Sequence, residues 1–189
     1  AFWLGKAAAR GAAPAQHELA LMYLNGLGVP RDESKALELL LEAGRQDYPA
    51  AQQTLATLYS DPSSALRDDV KTFEWTLKAA EQGAAEAQFR ASALYARGVG
   101  VEKDTTRAVE WLAKAAEQGH AIAQYGLGVV YEKGEWVKQD GAKAAAWLEK
   151  AFAQGHAESG RLLGELYERG LGVVQDDARA VELFRRAAE

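Results

Sequence analysis

The sequence contains no cysteine, which removes disulfide frameworks, thiolate nucleophiles and cysteine metal knuckles together and leaves the redox compartment open. It also lacks a basic surplus. Lys and Arg number 22 against 27 Asp and Glu, a formal charge of −5, so no positive field exists to neutralise a phosphate backbone or an anionic bilayer. Nucleic acid is therefore not an expected partner. No apolar run approaches the roughly 18 residues of a membrane span, and Ala1-Phe2-Trp3-Leu4 has neither the charged start nor the long apolar stretch of a secretion signal. Membrane insertion is not expected. The chain does not open on methionine, which points to a processed or excised piece. Catalytic signatures are missing too: there is no Ser-x-x-Lys, Lys-Thr-Gly, Gly-x-Ser-x-Gly, His-Glu-x-x-His or Gly-x-x-x-x-Gly-Lys. The Gly-x-Gly triplets lack the third glycine and preceding strand of a dinucleotide site. The expectation is a non-enzyme with no catalytic residues, no cofactor and no metal.

What is present is apolar mass with a strict period. Hydrophobic residues make up 48% of 189 positions, enough for a real interior. Tyr23, Tyr59, Tyr95, Tyr131 and Tyr167 recur every 36 residues without a slip, as do Asp32, Asp68, Asp104, Asp140 and Asp176. A third column reads Gly11, Asp47, Gly83, Gly119, Gly155, and a fourth reads Trp3, Leu39, Trp75, Trp111, Trp147, Leu183. The array covers the whole chain with no spacer.

Each unit resolves into two helices by its apolar spacing. Ala87, Ala91, Leu94 and Tyr95 fall at i, i+4, i+7, i+8, and Ala108, Trp111, Leu112 and Ala115 at i, i+3, i+4, i+7, one helical face in each case. We call these the A and B helices. Between them lie glycine turns such as Gly98-Val99-Gly100-Val101. The Asp column is placed to cap each B helix, and the mostly glycine column to end it in a left-handed conformation that Asp47 also tolerates. Pro14 and Pro49 sit where a first helical turn needs no N–H donor. The expected fold is therefore all-α.

The run Leu127-Gly128-Val129-Val130-Tyr131, then Gly134, Asp140, Ala144, Trp147 and Lys150-Ala151, resembles the Sel1-like repeat, a relative of the tetratricopeptide repeat. The resemblance spans residues 1–189 as one domain: a leading lone helix over residues 1–10, then five 36-residue two-helix repeats. It implies an α/α superhelical solenoid with A helices on the concave wall, and a protein-interaction scaffold or adaptor that binds a protein or peptide partner. It also implies a bacterial protein of the periplasm or secreted space, with the cytoplasm still open. Two units depart from the pattern. Asp61-Pro62-Ser63-Ser64 replaces the glycine turn in the second, and Trp136 replaces the second turn glycine in the fourth. The apolar Phe2, Trp3 and Leu4 at the opening helix lead us to expect further repeats in the parent protein.

Several columns invite functional readings that packing explains better. The Tyr and Trp columns are assigned to the core, and Gln16, Gln52, Gln88 and Gln124 to hydrogen bonds that orient adjacent units. The Asp column is a set of caps rather than calcium ligands, because no bidentate glutamate completes a calcium loop. His120 and His156, one repeat apart, have no third ligand in view. The B helices expose Glu74, Lys78, Glu110 and Lys114, a generic solvated face.

The A-helix face differs in kind, because its positions do not repeat. By analogy with tetratricopeptide geometry, the concave positions are His17 and Leu21, Gln53 and Thr57, Phe89 and Ala93, Tyr125 and Val129, Arg161 and Glu165. The candidate partner site is an apolar patch of Phe89, Ile122, Tyr125 and Val129 ringed by Arg97, Lys133, Arg161 and Arg169, with Trp136 as a loop contact or a lid over Val137. Phe89 and Tyr125 have two readings at this point, partner anchors or padding of the seam between repeats. Two other functions stand beside the scaffold: an envelope enzyme of penicillin-binding or β-lactam-hydrolysing type, and a purely architectural spacer.

Overall fold

The computed structural model describes residues 2–188, which form eleven α-helices and, among the described residues, no strand. They are α1 (Phe2–Ala8), α2 (Ala13–Asn25), α3 (Glu33–Arg45), α4 (Pro49–Ser60), α5 (Asp69–Glu81), α6 (Ala85–Arg97), α7 (Thr105–Glu117), α8 (Ala121–Lys133), α9 (Gly141–Ala153), α10 (Ala157–Arg169) and α11 (Asp177–Ala187). The even-numbered helices are the A helices and the odd-numbered ones the B helices. The chain divides into two compact units, residues 1–103 and 104–189. In the first, α1 packs on α2, α2 on α3, α3 on α4, α4 on α5 and α5 on α6. In the second, α7 packs on α8, α8 on α9, α9 on α10 and α10 on α11.

The two invariant columns recur together because they touch. The backbone N–H of Asp32 donates to the Tyr23 carbonyl at 3.0 Å, with the same bond from Asp68 to Tyr59, Asp140 to Tyr131 and Asp176 to Tyr167. Each Asp side chain then accepts from the N–H three residues on, at 2.8–3.0 Å, satisfying a donor that the first helical turn cannot. In three repeats a lysine closes the corner. Lys35, Lys71 and Lys143 lie 3.3, 3.3 and 3.6 Å from their cap carboxylates and 5.6, 5.1 and 5.2 Å from the ring centres of Tyr23, Tyr59 and Tyr131. The Lys35 and Lys71 N–H groups hold the Asp32 and Asp68 carboxyls below the usual range.

B helices end as expected. Gly11, Asp47, Gly83, Gly119 and Gly155 all have positive φ, and Asp47, at 58°, is the one described non-glycine residue that does. Beside each stop runs a glutamine ladder. Gln52 donates to the Gly44 carbonyl at 3.1 Å and accepts from Gln82 at 2.8 Å; Gln16 accepts from Gln46 at 2.8 Å and Gln124 from Gln154 at 2.7 Å. Gln16, Gln52 and Gln124 thus each tie the preceding B helix to the following one, which is the orienting role expected. The partner column Gln46, Gln82, Gln154 went unread in the sequence.

Core assignment holds for part of each aromatic column. Tyr59, Tyr95 and Trp75 are buried, as is Leu183, but Trp111 and Trp147 are half-buried and Trp3 is 76% exposed. The reason is their place at the outer edge of the B helices, where Lys6, Lys78, Lys114 and Lys150 cover the rings at 5.2, 4.7, 4.0 and 4.0 Å. The fully buried volume lies one position further on. Leu40 and Leu148 have no exposed surface, and size is balanced across the helix pair: bare Gly128 faces Leu148, and bare Gly164 faces the larger Phe184.

Turn glycines work by close approach as well as by φ. A Cβ on Gly100 would stand 1.9 Å from the Asp69 carbonyl oxygen, and one on Gly172 2.0 Å from the Gly141 carbonyl carbon, so the turn lies directly on the start of the preceding B helix. Trp136 stands at that turn position without a positive φ, so its turn takes another shape. In the second repeat the Asp61 carboxylate replaces the glycines by accepting from the Ser63 N–H and hydroxyl at 2.8 and 2.6 Å.

Candidate functional site

In the first unit the A helices α2, α4 and α6 present a cavity of about 360 Å³. Its floor is Ala56, Thr76, Ala79 and Ala87, all buried, and its walls are His17, Leu21, Ala50, Gln53, Thr54 and Thr57. Glu86 and Arg90 flank it and are paired at 2.8 Å. A second hollow of about 480 Å³ shares Ala56, Thr57, Thr76, Glu86 and Arg90 with the first and runs on past Phe89 and Ala93 to Arg97. The two form one groove.

Hydroxyl chemistry along it is fixed by the helices. Thr54 donates to the Ala50 carbonyl at 2.9 Å and Thr57 to the Gln53 carbonyl at 3.0 Å, so both oxygens face the groove as acceptors. Thr57 accepts from Arg90 at 3.3 Å. Thr54 lies 3.1 Å from His17 Nε2, which makes that nitrogen the N–H donor of a neutral ring. His17 Nδ1 is then a buried acceptor with no hydrogen-bond partner, 3.7 Å from the Glu18 carboxylate. Burial lowers the His17 pKa, and Glu18 opposes that in part.

Of the residues singled out from the sequence, Phe89 is half-buried and Arg97 exposed, and both line this groove. Arg97 uses Nε on the Ala93 carbonyl at 3.2 Å. The other seven lie in the second unit. Ile122 is 51% exposed in the first turn of α8, and Lys133 is exposed at its last residue. Val129 is half-buried against the cluster around Leu148 and Leu163. Tyr125 is half-buried and stacks on the His156 ring at 4.7 Å and 29°. Arg161 is gripped by Glu158, at 2.6 Å, and by Glu165, which hold its guanidinium pKa up. Arg169 lies 4.0 Å from Glu132. The expected basic rim is thus partly neutralised by neighbouring carboxylates. Trp136 is 40% exposed on the loop between α8 and α9.

His120 and His156 are N-caps, Nδ1 accepting from the N–H of Ala123 at 3.2 Å and of Ser159 at 3.3 Å. Sequence reasoning placed them at the helix starts without assigning that bond. It also missed the cavity, although a signal existed: the column Leu4, Leu40, Leu112, Leu148, Phe184 is large and apolar except at Thr76. Among the described residues no cluster of three His, Asp or Glu could hold a metal, and no helix is long and apolar enough to cross a membrane.

Five matches to the Sel1 repeat family model cover residues 13–48, 49–83, 85–120, 121–156 and 158–189. Among solved structures, the chain is 35% identical to a protective antigen of uropathogenic Escherichia coli displaying an SLR fold, with a TM-score of 0.90 over 98% of this chain and 40% of that one. It is 29% identical to a Sel1 repeat protein from Oxalobacter formigenes, with a TM-score of 0.81 over 95% of this chain and 72% of that one. An immunity protein from Pseudomonas aeruginosa shares the fold at 23% identity and a TM-score of 0.51, over 98% of this chain and 73% of that one. No curated protein matches the chain. The chain spans 40% of the length of the Escherichia coli antigen. Sel1 repeat proteins are typically protein-interaction scaffolds and generally not enzymes. With the two-helix period, the capped B helices and five family matches in register, this chain belongs to the Sel1 repeat family.

Proposed function

We propose that the chain holds a segment of a partner protein against its A-helix face. The observation that carries the reading is the position of the cavity in the first unit: it opens on His17, Leu21, Gln53 and Thr57, at the A-helix positions that change from repeat to repeat while the packing columns stay constant. Phe89 offers an aromatic edge in the same groove, and Arg97, with no carboxylate partner among the described residues, offers a cation for an acidic group. In the second unit, Ile122 and Tyr125 supply the apolar part of the surface and Lys133 and Arg169 its basic part.

The test is a comparison of faces against a partner purified from the source cells. Phe89→Ala is expected to weaken binding by about 2 kcal/mol, the scale of an interface hot spot, with Tyr125→Ala close behind and Glu110→Ala on the outer face nearly silent. Arg97→Ala is expected to lower salt-sensitive association more than Arg161→Ala, because two carboxylates already compensate Arg161. Equal losses from Glu110→Ala and Phe89→Ala would remove the A-helix face as the contact surface.

A further inference from the structure

A repeat protein carries its own control for packing, since the same site is built several times. At one such site an A-helix residue faces a B-helix residue twenty positions later. Large meets small there: Ala20 packs in one cluster with Leu40, Gly128 receives Leu148 and Gly164 receives Phe184. The corresponding pair in the second repeat is Ala56 and Thr76, small on both sides. Thr76 is 2% exposed yet lines both hollows of the groove, and the other floor residues of the first hollow are alanines. Deleting a large side chain from a packed site ordinarily destabilises the fold through lost burial and the void that remains. Here the void opens to solvent on the face that varies between repeats.

We propose that this gap is a knob-accepting site, and that its occupant is a leucine-sized aliphatic side chain on an extended segment of the partner, completing in trans the column that Leu40, Leu148 and Phe184 complete in cis. This deepens the groove reading above and rests on it. The column states the chemistry, because the residues that fill the equivalent space elsewhere are leucine and phenylalanine. Apart from the Thr76 hydroxyl, the floor is alanine and offers a polar group no hydrogen bond. Thr54 and Thr57 spend their hydroxyl protons on their own helix and one lone pair each on His17 and Arg90, which leaves one acceptor position apiece for the N–H groups of an extended backbone. Arg97 at the far end of the groove suits a carboxylate further along the same segment.

The experiment uses the whole chain labelled with ¹⁵N and a capped pentapeptide carrying one leucine and, three residues on, one glutamate, with leucine→alanine and glutamate→glutamine versions as controls. The leucine peptide is expected to shift amide signals of Thr54, Thr57, Thr76 and Ala87, and the alanine peptide to lose at least tenfold in affinity. Thr76→Leu, which restores the repeat column, is expected to keep or raise Tm and to abolish the leucine-dependent shifts. Should Thr76→Leu overpack, Ala50→Leu on the half-buried wall serves as a second plug with the same expected loss. Leucine-dependent shifts that survive a folded plug variant, or that map away from these residues, overturn the proposal, as does the absence of any difference between leucine and alanine peptides at millimolar concentration. The two readings fail separately. If Phe89→Ala impairs the purified partner and the plug variants do not, the face is right and the knob is wrong; if neither affects it, the face itself is wrong.

Discussion

Leu148 is fully buried against the bare backbone of Gly128, whereas Trp111, in a column that recurs as strictly, is half-buried with the Lys114 ammonium 4.0 Å from its ring centre. Their costs on truncation should differ accordingly. Leu148→Ala is expected to lose about 3 kcal/mol or more, since it leaves a closed void, and Trp111→Ala about 2 kcal/mol, since solvent already reaches the ring; urea denaturation of both variants checks the order. A glycine pair makes a similar contrast. Gly155 has φ of 87° with open space around it, so Gly155→Ala should cost about 1 kcal/mol, whereas Gly172→Ala would drive a Cβ into the Gly141 backbone and should cost several times more. Titration adds a third residue-scale expectation. The folded state lowers the His17 pKa, chiefly by burial, so it binds fewer protons than the unfolded chain just below the ordinary value of 6.5. The stabilisation is present above pH 6.5 and is lost as pH falls through the folded value. Tm should therefore decline as pH drops below 6.5, and His17→Gln should remove that part of the decline; an unchanged profile in His17→Gln would show that other groups cause it.

At the scale of the helix, order comes from the ends as much as from the faces. Every Asp of the recurring column caps a B helix, and Tyr23, Tyr59, Tyr131 and Tyr167 supply the carbonyls that fix where four of those caps sit. Asp140→Ala should cost about 1 kcal/mol, and Asp140→Asn much less, measured by thermal melting. These ends were legible before the structure because a cap needs a particular residue at a particular place, and so were the glycine stops, down to the left-handed Asp47. Burial was less legible. Period and amphipathic pattern locate the face of a helix but not its depth, so the half-exposed tryptophans under their lysines resemble core positions in the sequence. Paired side chains were harder still: the Gln46, Gln82 and Gln154 donors and the Tyr125–His156 stack join residues about thirty positions apart, a spacing that carries no helical signal. The groove was hidden for a related reason. Large side chains mark a helix face in the sequence, whereas the cavity is made by small ones, Ala56 and Thr76, on two different helices.

The molecule as a whole is built from local contacts, each helix packing on its neighbours in sequence within its unit, so stability should be close to a sum over repeats and their interfaces. Residues 1–103 contain their own buried cluster around Leu40, Leu55 and Trp75. A fragment of residues 1–103 is accordingly expected to be helical by circular dichroism and to unfold cooperatively; a random-coil spectrum would contradict the modular account. The same modularity separates fold from function. Columns that pack are copied from repeat to repeat, and the A-helix face is left free to vary. The most direct measurement of that division is site-specific photo-crosslinking, with a benzophenone side chain placed one at a time at Thr57, Phe89 and Tyr125 on the A-helix face and at Glu74 and Glu110 on the outer face, in a lysate of the source cells. The expected result is one partner band shared by the three A-helix positions and absent from Glu74 and Glu110; the same band from the outer positions alone, or equally from all five, would contradict the assignment of binding to the A-helix face.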